Sequence, residues 1–148
     1  MREISDAQRL VFEMMRLGSF NAFDGDQVAD DLLAHSDLWI ACWWGDHMMP
    51  LRSIASIPRD GMPYGDSVYL LTTQDKWEQL VELAKAWDYD EIYAVFQDSD
   101  DTLLIAGDEV YHTDPLKQEL EECIGDTLED LSDDLEIPAL VLLQVWWD

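Results

Sequence analysis

The stretch 67–98, SVYLLTTQDKWEQLVELAKAWDYDEIYAVFQD, decides the fold, because it reads as strand, helix and strand in succession. It opens with an apolar run at Val68, Leu70 and Leu71, which is typical of a β-strand. Apolar residues then recur every three or four positions, which predicts a helix with one apolar face: Trp77, Leu80, Val81, Ala84 and Trp87. A second run that favours a strand covers 92–96. A βαβ unit is therefore predicted over this stretch.

Residues with capping side chains mark the expected helix boundaries in the first half of the chain. Ser5 can cap a first helix, which Gly18 is expected to end, and Asp24 begins a second helix. For the helix of the βαβ unit, Thr73 or Asp75 offers the side-chain oxygen that a helix start needs. The sequence thus predicts two helices before the βαβ unit.

After the βαβ unit the sequence predicts a hairpin, one long helix and a last strand. The polar run 97–101 indicates a turn that leads into a strand at 102–106. Pro115 fits the first turn of a helix whose apolar stripe continues through Gly125. The run 139–147, ALVLLQVWW, then favours a C-terminal strand.

From residue 67 the predicted order is therefore β-α-β-β-α-β. This is the order of the split βαβ, or ferredoxin-like, arrangement, in which two helices cover one face of an antiparallel sheet. The N-terminal helices and an extra strand at 38–44 would extend the sheet or cover its other face. We predict a single α+β domain over 1–148, with an N-terminal extension at 1–60 and a βαββαβ core at 66–148.

Length, hydropathy and cysteine content indicate a globular chain. With 148 residues, 48% of them hydrophobic, the chain is long enough to bury a core. The sequence has no apolar run of the length that a membrane span needs, and MREISDAQRL at its start has no signal-peptide core. Cys42 and Cys123 are predicted to be buried free thiols, with a disulfide or a metal site as the alternatives. Free thiols point to a cytoplasmic location.

The charge of the chain restricts its partners. There are 33 acidic residues against 8 Lys and Arg, which gives a net charge of −25. Such a surface repels nucleic acid and anionic membranes, so we expect direct binding to neither, and it attracts cations or a basic protein. The acids occur along most of the chain, which favours surface solvation, as in adaptation to salt, over one acidic binding face.

The sequence gives no spacing that is typical of a catalytic or metal site. His35, His47 and His112 lie near carboxylates, but no two of them have ligand spacing on one helix. A calcium-loop spacing that starts at Asp98 fails at Leu103, where glycine is required. There is also no nucleophile elbow and no glycine-rich phosphate loop. We therefore predict no catalytic residue, no metal ligand and no cofactor. The sequence favours a non-enzymatic protein over an enzyme.

Tryptophan pairs on two predicted strands suggest a binding surface. Neighbours on a strand point to opposite faces, so one residue of each pair leaves the core unless both faces of the sheet are covered. Exposed aromatic surface is typical of an interface or a ligand pocket. The predicted binding residues are Trp43, Trp44, His47, Tyr64, Trp146 and Trp147. The C-terminal strand can also pair with its copy in a second subunit, which is one route to the predicted homodimer.

These observations favour a non-enzymatic binding or interaction module that forms a homodimer. One alternative is an acidic inhibitor that mimics nucleic acid and blocks a basic protein. The observation that suggests it is the net charge of −25. Another is a small enzyme with a pocket between the sheet and the N-terminal extension.

Overall fold

A computed structural model describes residues 2–45 and 65–148. The described residues form five α-helices, a six-stranded antiparallel sheet and a two-stranded hairpin, so the predicted α+β class is confirmed. The helices are α1 (Asp6–Leu17), α2 (Gly25–Ala34), α3 (Trp77–Ala84), α4 (Lys117–Ile124) and α5 (Leu128–Leu135). The hairpin strands are β1 (Ser19–Phe20) and β2 (Phe23–Asp24), and the strands of the main sheet are β3 (Ala41–Gly45), β4 (Ser67–Thr73), β5 (Glu91–Phe96), β6 (Ser99–Ala106), β7 (Glu109–Thr113) and β8 (Leu140–Trp146). Two of the predicted binding residues, His47 and Tyr64, lie outside the described residues.

The starts of α1 and α2 are fixed by the capping side chains that the sequence predicts. The hydroxyl of Ser5 accepts a hydrogen bond from the backbone N–H of Gln8 at 3.1 Å. The carboxylate of Asp24 accepts one from the N–H of Gln27 at 3.2 Å. Each side chain satisfies one of the N–H groups that a helix start leaves without a partner. Gly18 follows the last residue of α1, as predicted.

Two other predicted helix boundaries are wrong. Thr73 and Asp75 bond to each other through their side chains, so α3 begins after Lys76 without a side-chain cap. The long helix expected after Pro115 is broken by Gly125, which takes a left-handed φ of +77°. The chain then restarts as α5, where the hydroxyl of Thr127 accepts a hydrogen bond from the first turn. Glycine ends helices in this conformation because it has no Cβ to clash.

The C-terminal strand lies inside the sheet. The strand order is β3-β4-β8-β5-β6-β7, and all neighbours are antiparallel. Since β4 and β5 occupy the two edges of β8, this strand has no free edge to offer a second subunit. The predicted pairing of the C-terminal strand with its copy is therefore wrong.

Helices cover both faces of the sheet, and the helices of the predicted βαββαβ core lie on opposite faces, unlike those of the ferredoxin-like arrangement. Leu70 of β4 belongs to the apolar cluster under α1, α2 and α3. Its neighbour Leu71 belongs to a second cluster, which also contains Leu120 of α4 and Leu128 of α5. The two clusters lie on opposite faces because side chains alternate along a strand. The strand β7 is a further departure from the predicted β-α-β-β-α-β order.

One outer edge of the sheet is closed by a side chain. Among the described strands β3 forms that edge, and its Cys42 exchanges two hydrogen bonds with the amide of Gln8 on α1. The Gln8 Nε2 donates to the Cys42 carbonyl at 2.8 Å, and the Cys42 N–H donates to Oε1 at 2.9 Å. Gln8 thus takes the place of a neighbouring strand, which protects an edge that could otherwise pair with another chain.

We expect Trp87→Ala to lower the free energy of unfolding by about 3–5 kcal/mol, as large-to-small changes in a core do. Trp87 is 2% exposed, and its indole N–H donates to the carboxylate of Asp31 on α2 at 2.9 Å. Urea unfolding measures the change, with Trp43→Ala as the matched control, since Trp43 is 46% exposed. Equal losses in the two variants would contradict the assignment of Trp87 to the core.

Candidate functional site

The strand alternation divides the two tryptophan pairs between the core and the surface. Trp44 and Trp147 are fully buried, and both rings contact Phe23, at centroid distances of 5.9 and 4.8 Å. Trp43 is 46% exposed and Trp146 is partly buried. Buried rings are closed to a ligand, so only Trp43 and Trp146 of the described candidates can offer binding surface.

A groove with a volume of ≈ 480 Å³ lies between the sheet and the turn that joins α4 to α5. Its apolar walls are Leu71 and Leu142 from the sheet and Ile124 and Leu131 from the helices. Trp43 lines it from the edge strand β3. This groove lies on the sheet face opposite α1 and α2, and the part of the N-terminal extension that lines it is β3.

The shape of the groove depends on how α4 meets α5. The carboxylate of Glu121, on α4, accepts a hydrogen bond from the backbone N–H of Leu128 at 2.6 Å. The carboxylate of Asp126 accepts another from the N–H of Thr127 at 2.9 Å. Both bonds satisfy donors at the start of α5, so the two short helices are tied to each other across Gly125.

Tyr69 contributes a polar group to this apolar groove. The side chain lies on β4 and is 2% exposed, and its hydroxyl has no aligned hydrogen-bond partner among the described residues. The thiol of Cys123 and the hydroxyl of Ser67 lie near it, and Ser67 also donates to Asp66 and accepts from Gln144. A ligand that gives the Tyr69 hydroxyl a well-aligned hydrogen bond would stabilise the site, because poorly satisfied buried hydroxyl groups cost free energy.

Tyr69 is also held in its neutral form. Burial raises the pKa of this phenol above its ordinary value, and the neighbouring thiol of Cys123 raises it further. A neutral phenol can both donate and accept a hydrogen bond. The group is therefore suited to recognition and not to proton abstraction near neutral pH.

The two cysteines occupy different environments, which corrects the prediction that both are buried. Cys42 is buried, and its side chain packs with the core cluster under α1 and α2. Burial raises the pKa of this thiol far above its ordinary value, so it is a poor nucleophile. Cys123 is exposed and lines the groove beside Tyr69. The thiols of Cys42 and Cys123 therefore do not face a common site.

Acidic side chains surround the groove and also cover the opposite face of the protein. The exposed acids of α4 and α5 are Glu119, Glu122, Glu129, Asp130, Asp133 and Asp134. Those on the helices of the other face are Asp6, Glu13, Asp26, Asp30, Glu78 and Glu82. The groove therefore lies in a negative field that favours positively charged ligands over anions. Because both faces are acidic, the distribution favours general surface solvation over a single face that mimics nucleic acid.

A smaller cavity of ≈ 230 Å³ is lined by Arg2, Trp39 and Lys76, among others. The guanidinium of Arg2 donates to the carbonyls of Ser36 and Trp39 at 2.8 Å each and to that of Ile40 at 3.1 Å. It also lies 4.3 Å from the centre of the Trp39 ring. These contacts use the cation to attach the N-terminus to the sheet, so it is a structural group and a poor candidate for a ligand site.

The described histidines and carboxylates form no metal site. Within 2–45 and 65–148, no three His, Cys, Asp or Glu side chains come together in a way that could hold a metal ion. His35 lies at the end of α2, where its ring contacts the carbonyl of Asp31 at 2.9 Å, and His112 is exposed on β7. In the same two ranges, no helix combines the length and the apolar character that crossing a membrane requires.

Sequence reasoning identified Trp43 and missed the other polar members of the groove. Tyr69 is the one residue with a polar group within the apolar run of β4, and that contrast is the signal that could have identified it. The sequence Gly125-Asp126-Thr127 is a helix break followed by a cap, which could have revealed two helices with an opening between them. Cys123 has no comparable signal, because its position in the apolar stripe of α4 indicates burial.

We expect the free energy of unfolding to fall above pH 10. Burial raises the pKa of Tyr69, Tyr89 and Tyr93 above the ordinary 10.0, in the case of Tyr93 to about 12. The tyrosines of the unfolded chain therefore ionise at a lower pH than the same tyrosines in the folded protein. The stability that the neutral phenols contribute is complete below pH 10 and is lost as the pH rises toward about 12. Urea unfolding across this range should show a shallower decline for Tyr69→Phe than for the wild type. Identical slopes would mean that Tyr69 ionises as easily in the folded protein as in the unfolded chain.

Comparison with known proteins gives no family for this fold. No protein-family model matches the chain, and neither a curated protein nor a solved structure does. Function therefore has to be argued from the chemistry of the groove, since a fold alone does not imply an activity.

Proposed function

We propose that this protein is a non-enzymatic binding module that holds a small organic cation with an apolar body in the groove under α4 and α5. The observation that carries the proposal is the solvent-shielded, neutral hydroxyl of Tyr69 beside the apolar walls of the groove. A volume of ≈ 480 Å³ suits a small molecule, because ligand pockets commonly measure about 300–1,000 Å³.

The walls of the groove support an apolar ligand body. Leu71, Leu142, Ile124 and Leu131 come from four different elements and line one space. Burial of apolar area against them contributes about 25 cal/mol per Å² removed from water. A purely polar ligand would gain nothing from these walls.

Three features favour a positive charge on the ligand. The ring of Trp43 is half-exposed at the groove, and tryptophan is the side chain that attracts cations most strongly through its π-face. Asp126 lines the same space and brings a negative charge to it. The oxygen of Tyr69 can accept a hydrogen bond from an ammonium group. An anion would meet unfavourable charge at Asp126 and in the acidic surroundings.

The order of affinities in a matched ligand series tests the class of ligand. We expect 2-phenylethylamine to bind more tightly than the neutral 2-phenylethanol, and 3-phenylpropionate to bind most weakly of the three. Calorimetric titration measures the order.

Tyr69→Phe should weaken binding of the amine about five- to tenfold, which corresponds to one hydrogen bond. Tyr93→Phe is the matched control, since the hydroxyl of Tyr93 is bonded to Glu91 and does not line the groove. Absence of binding, or tightest binding of the anion, would refute the proposal.

The charge of Asp126 is tested by its amide. Asp126→Asn keeps the acceptor for the N–H of Thr127 and removes only the charge. We expect it to weaken binding of 2-phenylethylamine about two- to fivefold, as for a partly exposed ion pair, and to leave 2-phenylethanol unaffected. Asp134→Asn makes the same change of net charge on the exposed side of α5. If this control has an equal effect, the general acidity of the protein and not Asp126 attracts the cation.

A further inference from the structure

The strand β7 is the second outer edge of the sheet. Within 2–45 and 65–148, no strand pairs with its outer side, and every residue of β7 except Thr113 is exposed. Val110 and Tyr111 are 56% and 47% exposed and lie next to each other. The strand also lacks the Lys or Pro residues that commonly protect an edge. This edge therefore differs from β3, where the backbone N–H and carbonyl of Cys42 are hydrogen-bonded to the side chain of Gln8.

The hairpin turn determines which backbone groups of β7 point outward. Gly107 and Asp108 form a two-residue turn between β6 and β7, and Gly107 takes a φ of +61°. The pair Ala106 and Glu109 closes the ladder at this turn. Bonded and non-bonded pairs alternate along an antiparallel ladder, so the N–H and C=O groups of Val110 and His112 are directed away from β6.

The sequence of β7 is compatible with pairing to its own copy. In an antiparallel pair with a two-fold axis at residue 111, Tyr111 lies opposite its copy and Val110 lies opposite the second copy's His112. Glu109 then lies opposite the second copy's Thr113, so no two like charges are directly opposed within the strand. The outward groups of Val110 and His112 meet in this register and exchange backbone hydrogen bonds.

The same register would continue the apolar surface of each sheet face. Tyr93, Leu104 and Tyr111 are neighbours across β5, β6 and β7 on the face that carries α4 and α5. On the other face, Ile105 is followed by Val110. Pairing at β7 places both rows against those of the second copy, and cross-strand aromatic and β-branched pairs of this kind stabilise sheets.

We propose that β7 is the dimerisation edge of this protein, and that a second copy of the chain pairs with it antiparallel about Tyr111 to form one continuous sheet. The two copies carry −25 each, so their long-range interaction is repulsive. Beyond the strand ends, Asp108 of each copy also approaches Asp114 of the other. Added salt screens both repulsions, and the dimer is therefore strengthened by salt, whereas a complex with a basic partner would be weakened.

Sedimentation of the full chain tests the proposal. At micromolar concentration, between about 0.05 M and about 1 M NaCl, we expect twice the chain mass, with a dissociation constant that falls as salt rises. A monomer at every salt concentration, or a dimer that salt dissociates, would overturn the proposal.

Charge pairs at residue 111 test the register. Tyr111→Glu and Tyr111→Lys should each weaken self-association at least tenfold, because like charges then face each other across the two-fold axis, and a mixture of the two variants should restore dimers. Leu10→Glu is the control, since Leu10 is an exposed apolar residue on α1. Dimers that persist in both single variants, or a mixture that stays monomeric, would exclude this register.

Val110→Pro tests the edge through the backbone alone. Proline removes the outward N–H and is tolerated on an edge strand when that N–H faces solvent. We expect a folded monomer by circular dichroism and sedimentation. A folded Val110→Pro protein that remains dimeric would show that subunits meet elsewhere.

Discussion

The structure depends on the burial of β8 between two layers of helices. Every residue of Leu140–Trp146 except the last is buried, and β4 beside it is buried at every position but its last. A strand with apolar side chains on both sides needs cover on both sides. The helices α1, α2 and α3 provide it on one face, and α4 and α5 on the other. With β8 paired on both sides, β3 and β7 are the outer strands among the described residues.

The groove results from how one of these layers is built. The face under α4 and α5 is covered by two helices of eight residues each, broken at Gly125. The break leaves a turn between the two helices, and Gly125 and Asp126 of this turn line the groove together with Tyr69. Tyr69, the side chain that makes the site polar, thus belongs to β4, the neighbour of β8. The core requires β4 to be apolar. This conflict with the local pattern is the reason for assigning Tyr69 a role in binding.

Local features of the fold were predictable from the sequence, and its topology was not. Ser5, Asp24 and Gly18 determine helix ends through contacts within a few residues, and the βαβ unit follows from its apolar periodicity. Strand order depends on which strands β8 pairs with, and the first residue of β8, Leu140, lies 49 residues after the first residue of its partner β5, Glu91. The covering of both faces could be suspected only from the continuous apolar runs of β4 and β8. The groove combines residues from β3, β4, β8, α4 and α5. The sequence marks Trp43, Tyr69 and the break at Gly125 one by one, but not that they meet in one space.

The acidity of the chain affects the two proposed interactions in opposite ways. A cation that approaches the groove is attracted by the whole surface, so salt weakens this association while it strengthens the association of two copies at β7. The groove faces the α4 and α5 side of the sheet at the β3 end, and β7 is the opposite edge. The strands β5 and β6 separate the strands that line the groove from β7, so ligand binding does not require the second copy. A salt-dependent coupling between them would therefore arise from charge and not from a shared contact, because the two surfaces have no residue in common.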